Sequence, residues 1–497
     1  MTLFHFFLAI YKKFTYTFYN TQKINIYERY KRTMNRKIIL LLSSCILLLF
    51  CSYFHHLSSV HPPILPESEH TFYDPFYSDI LKSRDFSTLI VSILADEDDL
   101  YSEETGIIST HYLLRGRESE REIRLCVYDK DGTPLVSQGA GIRLSGATSR
   151  NALRKSFRII AREEYDSVAP RFTYDFWDTR RTLDGSNHPI REYRSFVLHS
   201  MRYAMDATGI HNSVGYTLAR QAGIKDASPT VPAAVYLNGV YQGAYFIMPA
   251  KNDHALCELY HIQDPKDIEI VTVFEQEKTG QQPNPEVLEK YLEFVHFVQT
   301  SDVNQPEVIA QIEKQLDVHQ CLQYYAVNLL LANGDWMDNN LRVWRCKDNG
   351  LPYQDHRWRF FLYDLDWIGS FPDLVTLNFQ QATMSNEYYN LLPSLLKNPK
   401  WLVEFKEILS TMQEDAFYAE NIEAVFASEE AKMGLEASYD LESEAFYSYR
   451  LYSVNSKPLT DEDLLTLEDR AQMVEDFKSH MLQAPALVNE CIATYFP

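Results

Sequence analysis

Hydrophobic periodicity changes character once along this chain, and that change limits what it can fold into. From Thr88 onward apolar residues alternate with polar ones or run in short blocks, which predicts strands at Thr88–Leu94, Arg124–Tyr128, Gly141–Gly146, Lys155–Ile160 and Ser195–His199. Asn238-Gly239 between Ala233–Leu237 and Ala244–Met248 predicts a β-hairpin, because both turn positions favour positive φ. One amphipathic helix, Ser213–Ala222, interrupts the strands and is closed by Gly223; a polar excursion fills about 163–192. After Pro283 the apolar spacing becomes helical, over Val287–Thr300 and Gln305–Leu331. Two strands, Leu341–Cys346 and Trp358–Leu362, then precede a helical tail from Pro399 whose inner face carries Trp401, Phe405, Ile408, Leu409 and Met412. The pattern predicts an α+β fold, strand-rich in its first half and helix-rich in its second.

Composition removes several function classes. With 497 residues, 45% hydrophobic and 13% aromatic, the chain can bury a large core and is not a mainly disordered protein. A formal charge of −21 would repel a phosphate backbone, so nucleic acid is not an expected partner. Five cysteines of the body (Cys126, Cys257, Cys321, Cys346 and Cys491) are dispersed without Cys-x-x-Cys spacing, which predicts buried free thiols over a zinc site or a disulfide scaffold. Ile38–Phe54 is an almost unbroken apolar run behind Met34-Asn-Arg-Lys37, the arrangement of an export signal or membrane anchor, and Leu42-Ser-Ser-Cys45 offers a lipoprotein cleavage site. On this reading Met34 is the initiator, residues 1–33 an upstream extension, 34–54 the signal or anchor, 55–80 a linker and 81–497 the folded domain, helical from about 385. The expected location is the cell envelope, outside the cytoplasm, membrane-anchored or lipidated.

The chemistry-bearing residues cluster at the boundary between the two halves. Asn333-Gly-Asp-Trp-Met-Asp-Asn-Asn340 follows an apolar helix and sets Asp335 and Asn340 at the Asp-x-x-x-x-Asn spacing of a phosphoryl-transfer catalytic loop. Asp364 and Asp366 flank Leu365 in an aromatic surround, where burying two carboxylates calls for a metal or another cation. With Asn340 they form an all-oxygen set suited to Mg²⁺ or Mn²⁺. Taken alone, the first segment also reads as a surface turn, and the second as one salt-bridged Asp beside one solvated Asp. Arg143, Ser149, Arg150 and Lys155, in and around the Gly146 turn, are the candidate phosphate contacts; an ordinary basic hairpin is the plainer alternative.

In order, Gly-x-Arg-x-x-Gly-x-x-Ser-Arg…Lys-Ser-Phe, Tyr-Leu-Asn-Gly-x-Tyr-x-Gly-x-Tyr, Asn-x-Asp-Trp-x-x-Asn-Asn and Asp-Leu-Asp-Trp resemble the CotH kinase family, over about Thr88 to Ser370. The resemblance implies a divergent, bilobal protein-kinase-like fold with ATP bound between the lobes. It implies that Asp335 is the catalytic-loop Asp, and that Asn340 and Asp364 are metal ligands, with Asp366 part of the same motif. Lys155 and Arg150 would be nucleotide-phosphate contacts. Two positions depart from the family: Tyr245-Phe-Ile-Met-Pro-Ala250 lacks the usual Glu, for which Glu258 or Asp253 are candidate substitutes, and Ile210-His211-Asn212 replaces Leu/Ile-Arg-Asp. The implied activity is metal-dependent transfer of the ATP γ-phosphate to Ser or Thr of an envelope protein. A weak pseudokinase or adhesive envelope protein is the alternative.

Overall fold

The structure is a computed structural model that describes residues 74–497 apart from 110, 153, 179, 202–205, 276–282, 338, 372, 386–388 and 443–464. The signal or anchor at 34–54 and the extension before it lie outside the described residues.

The strand-rich half closes on itself. A short helix α1 (Tyr77–Ser83) precedes β1 (Leu89–Ala95), and α2 (Glu97–Tyr101) leads on to β2 (Arg121–Tyr128), β3 (Pro134–Ser145), β4 (Ser156–Ile160) and β5 (Ser195–Ser200). Helix α3 (His211–Gln221) separates these from the hairpin β6 (Val231–Leu237) and β7 (Val240–Pro249). The strands form a closed barrel in the order β1-β2-β3-β4-β5-β7-β6, sealed by a parallel β1–β6 pair. Period-two alternation explains the closure: Val91, Ile93, Leu125, Val127, Ile142, Leu144, Phe157, Ile159, Leu198, Val235 and Ile247 share one core. The polar excursion has a structural use that its composition hid. Phe172, Phe176, Trp177 and Tyr193 join that core, and Trp177 Nε1 donates to the Ile247 carbonyl at 3.1 Å. The hairpin turn forms as expected, with positive φ at Asn238 and Gly239.

The helix-rich half starts with α4 (Asp253–Tyr260) and β8 (Ile268–Thr272), followed by α5 (Pro285–Thr300), α6 (Pro306–Gln315) and α7 (Val318–Leu330). Next come β9 (Arg342–Cys346), β10 (Arg359–Phe360), α8 (Asp373–Met384), α9 (Leu392–Leu395), α10 (Pro399–Asp415), α11 (Ala419–Met433), α12 (Glu436–Glu442) and α13 (Leu467–Tyr495). The continuous helix expected over Gln305–Leu331 is two helices. Leu316 turns extended and bridges to Trp358, and Asp317 caps α7 by accepting from Gln320 N. Strands β8, β9 and β10 make a small second sheet. The five body cysteines are free thiols, and all but Cys257 are fully buried.

Candidate phosphoryl-transfer site

The Asp335 loop begins where α7 ends. Ala332 takes φ +46°, and Asn333 then anchors the loop: its amide donates to Asn328 Oδ1 at 2.9 Å, and its carbonyl accepts from Asn378 Nδ2 at 2.7 Å. Trp336 lies buried beneath, donating to the Tyr324 hydroxyl at 3.0 Å. Asp335 N donates to Asn333 Oδ1 at 3.2 Å, and Asp335 Oδ2 accepts from the side-chain amides of Asn339 and Asn340, the latter at 3.0 Å. These side-chain amides hold the direction of the carboxylate.

The Asp364–Gly369 segment is zipped to that loop through the backbone. Gly334 N donates to the Trp367 carbonyl at 2.8 Å, Asn333 and Ile368 form an antiparallel bridge, and Gly369 N reaches the Leu331 and Ala332 carbonyls, each at 3.1 Å. Asp364 sits at φ +62°, a conformation costly for a non-glycine residue and held only where surroundings dictate it. Helix α3 supplies those surroundings. The Tyr216 hydroxyl accepts from Asp364 N at 3.2 Å and Asn212 Oδ1 from Leu365 N at 3.0 Å; His211 Nδ1 donates to the Asp366 carbonyl at 3.0 Å. From the other side α13 braces the same turn. His480 Nδ1 donates to the Gly369 carbonyl at 2.9 Å, and Phe477 packs on the His211 ring at 4.0 Å. A Cβ on Gly369 would come within 2.9 Å of Phe477, so α13 can approach this closely only over glycine.

Electrostatically this end is crowded with negative charge. Burial, then Asp364, Asp335 and Asp206 in that order, push the Asp366 carboxyl well above the usual carboxylate range. Asp206 is fully buried and accepts from Thr208 Oγ1, Gly209 N and His211 N at 2.7 to 2.9 Å. Burial lowers the His199 imidazole pKa, against the pull of Asp364 and Asp206, and its Nε2 lies 3.4 Å from Asn212 Nδ2. His199, Asp206 and Tyr216 went unnoticed in the sequence, since each comes from an element remote from the two acidic motifs. The only signal was the unusual His211-Asn212 pair.

Among the described residues no group of three His, Cys, Asp or Glu side chains stands ready to hold a metal. The set anticipated for Mg²⁺ has two carboxylates and an amide, Asp364, Asp366 and Asn340, and lies outside such a grouping. Its chemistry fits a hard divalent cation: oxygen donors, with a buried carboxyl at Asp366 that neighbouring carboxylates destabilise as an anion.

The cationic end is put to different use. Arg150 is buried and donates to the carbonyls of Gly146 (2.8 Å), Leu144 (2.7 Å), Leu114 (2.9 Å) and Tyr112 (3.2 Å). The expected phosphate contact is a strut that ties the Gly146 turn to the chain before β2. Lys155 donates to the Arg150 carbonyl at 2.6 Å and lies 4.8 Å from the Tyr112 ring centre; burial, then Arg150, lower its pKa to about 8. No carboxylate among the described residues is paired with Lys155. Glu258 serves Arg171 (2.9 Å) and Arg194 N (2.7 Å) instead, and Asp253 acts on Arg143 and Arg158. Arg143 is in register with Arg158 across β3 and β4, and Ser149 lies in the short turn after Gly146. Glu275 pairs with Arg115 at 3.3 Å.

The fold thus combines a closed strand barrel with a carboxylate loop zipped to a second Asp-rich turn in an α+β chain. Residues 142–462 match the family model described as CotH kinase protein, and the chain belongs to that family. Membership points to atypical kinase chemistry. No curated protein matches the sequence.

Proposed function

We propose that this protein is an exported, ATP-dependent protein kinase with a divergent bilobal kinase-like arrangement, acting on Ser or Thr of an envelope protein. The observation that supports the reading is the backbone zip between the Asp335 loop and the Asp364–Gly369 turn, which joins the two acidic motifs. Asp335, held by Asn339 and Asn340, would orient the acceptor hydroxyl and take up its proton as the oxygen attacks phosphorus. Asn340, Asp364 and Asp366 are the residues that would hold Mg²⁺ or Mn²⁺. Bound there, a divalent ion supplies charge neutralisation for the nucleotide phosphates. On the barrel side Lys155, Arg143 and Ser149 remain candidate nucleotide contacts.

A second reading, a catalytically weak relative kept for binding or structure in the envelope, is favoured by one observation. Lys155 is engaged by a carbonyl and an aromatic ring instead of the acidic partner that would hold it towards a phosphate. The two readings separate in one experiment: the purified protein incubated with γ-labelled ATP, Mg²⁺ or Mn²⁺ and a Ser-rich acceptor, beside Asp335→Ala and Asp364→Ala. Label transferred by wild type and lost in both variants supports the kinase. Absence of label with every metal, together with absent nucleotide binding, favours the second reading.

A further inference from the structure

A cavity of about 310 Å³ lies where the turn after α3, the connection from β7 to α4, and the chain just before Asp364 meet. Neither Asp335, Asn340, Asp364, Arg150 nor Lys155 lines it. Its walls carry Arg180, Arg181, Arg220, Lys225 and Lys251 against one acidic lining residue, Asp226. In a protein whose formal charge is −21, five cations around one small cavity are a local inversion of the surface field.

Their internal partners are weak or neutral. Lys251 Nζ donates to the Asp226 backbone carbonyl at 2.9 Å, and Arg220 to the Ser228 carbonyl at 2.6 Å. Arg180 meets Glu258 only at 3.8 Å. Burial lowers the Lys251 pKa to about 8, with Asp226 opposing and Arg180 and Arg342 adding to the effect. Two neutral groups add to this. The Ser228 hydroxyl, on a residue 2% exposed, and Asn252 Nδ2 are buried without a hydrogen-bond partner among the described residues, and both residues line the cavity. Idle buried donors beside under-compensated cations are the complement of an oxyanion, which satisfies both at once. Leu256, Leu259 and Phe361 provide an apolar wall opposite, and the volume is that of a small-molecule site.

We propose that this cavity binds a small phosphomonoester, its phosphate among Arg180, Lys251, Ser228 and Asn252 and its organic body against Leu256, Leu259 and Phe361. A dianionic head suits this excess of cations better than a single carboxylate. The site lies beside the phosphoryl-transfer machinery, since Phe361 is three residues before Asp364 and Arg342 links the Lys251 carbonyl (3.3 Å) to the Tyr363 ring (4.8 Å).

The test is calorimetric titration of the full chain with phenyl phosphate, and with inorganic phosphate to measure the head alone. One site is expected, tighter for phenyl phosphate, with its affinity unchanged by saturating ATP and Mg²⁺. Asn252 caps α4 by accepting from Ala255 N, so Asn252→Asp keeps the cap while replacing the idle donor with a negative charge. It should weaken binding at least tenfold and leave the melting temperature intact; Lys251→Met is the second variant should the first fail to fold. Absence of binding, unchanged affinity in a folded variant, or displacement by ATP would overturn the proposal.

Discussion

The acidic and basic ends of the candidate site are made in opposite ways. At the acidic end the backbone does the positioning, through the Gly334–Trp367 and Asn333–Ile368 contacts, and the Asp335 carboxylate is steadied by side-chain amides. At the basic end the side chains do the positioning, and Arg150 gives four hydrogen bonds to carbonyls to hold a turn. Where charge is left uncompensated, folding stability is sacrificed and a ligand can recover it. Where the donors of a side chain are saturated internally, as at Arg150, the residue contributes to the fold and has little left for a substrate.

That contrast breaks first on activity. Asp335→Ala and Asp364→Ala should each lower phosphate transfer by about 10²–10⁴-fold while the far-ultraviolet dichroism stays native; an active Asp335→Ala protein would remove the catalytic-loop assignment. The second effect is on stability. Arg150→Met leaves the Leu144, Gly146, Tyr112 and Leu114 carbonyls without their donor, at about 1–3 kcal/mol for each buried acceptor that water cannot reach. Urea unfolding should show the loss; an unaltered midpoint with a raised KM for ATP would return Arg150 to the phosphate-binding role.

A smaller change, of opposite sign, is expected at the acidic end. Asp366→Asn removes a buried carboxyl from the field of Asp364, Asp335 and Asp206. It should raise metal-free stability at neutral pH, while abolishing any stabilisation by Mg²⁺. A destabilised variant would mean that the carboxylate is already compensated. The smallest effect concerns Lys155. Its pKa falls from 10.5 to about 8 on folding, so between those values the unfolded chain holds a proton that the folded chain has released. Stability therefore rises with pH across that window, by an amount that solvent screening of the half-exposed ammonium keeps small. Lys155→Met should flatten the slope; an unchanged slope would show that the ammonium is well solvated.

The distinction also marks what was legible. The strands, the Asn238-Gly239 hairpin and the α10 face were readable because alternation and turn preference are local properties. Asp335, Asn340, Asp364 and Asp366 stood out as polar residues that interrupt strongly apolar segments. Arg150 was ambiguous, because a guanidinium reads the same in sequence whether it meets a phosphate or four carbonyls. The break at Leu316–Asp317 was hidden because helical periodicity runs through it, and only the pairing of Leu316 with Trp358 imposes it. His480 and Phe477, which brace the Asp364–Gly369 turn, come from α13, beyond the residues matched by the family. Nothing near the motifs in the sequence points to them.

By itself the sequence determined the α+β division, the acidic motif pair and the family, because these rest on periodicity and spacing within short stretches. Tertiary structure decided that the strands close into a barrel, that aromatic residues of a polar loop fill it, and that α3 and α13 hold Asp364 in a left-handed conformation. It also decided which charges are spent and which stand unpaired. Those outcomes depend on groups brought together from distant parts of the chain, where the cost of burying a charge is set by whatever neighbours the fold supplies.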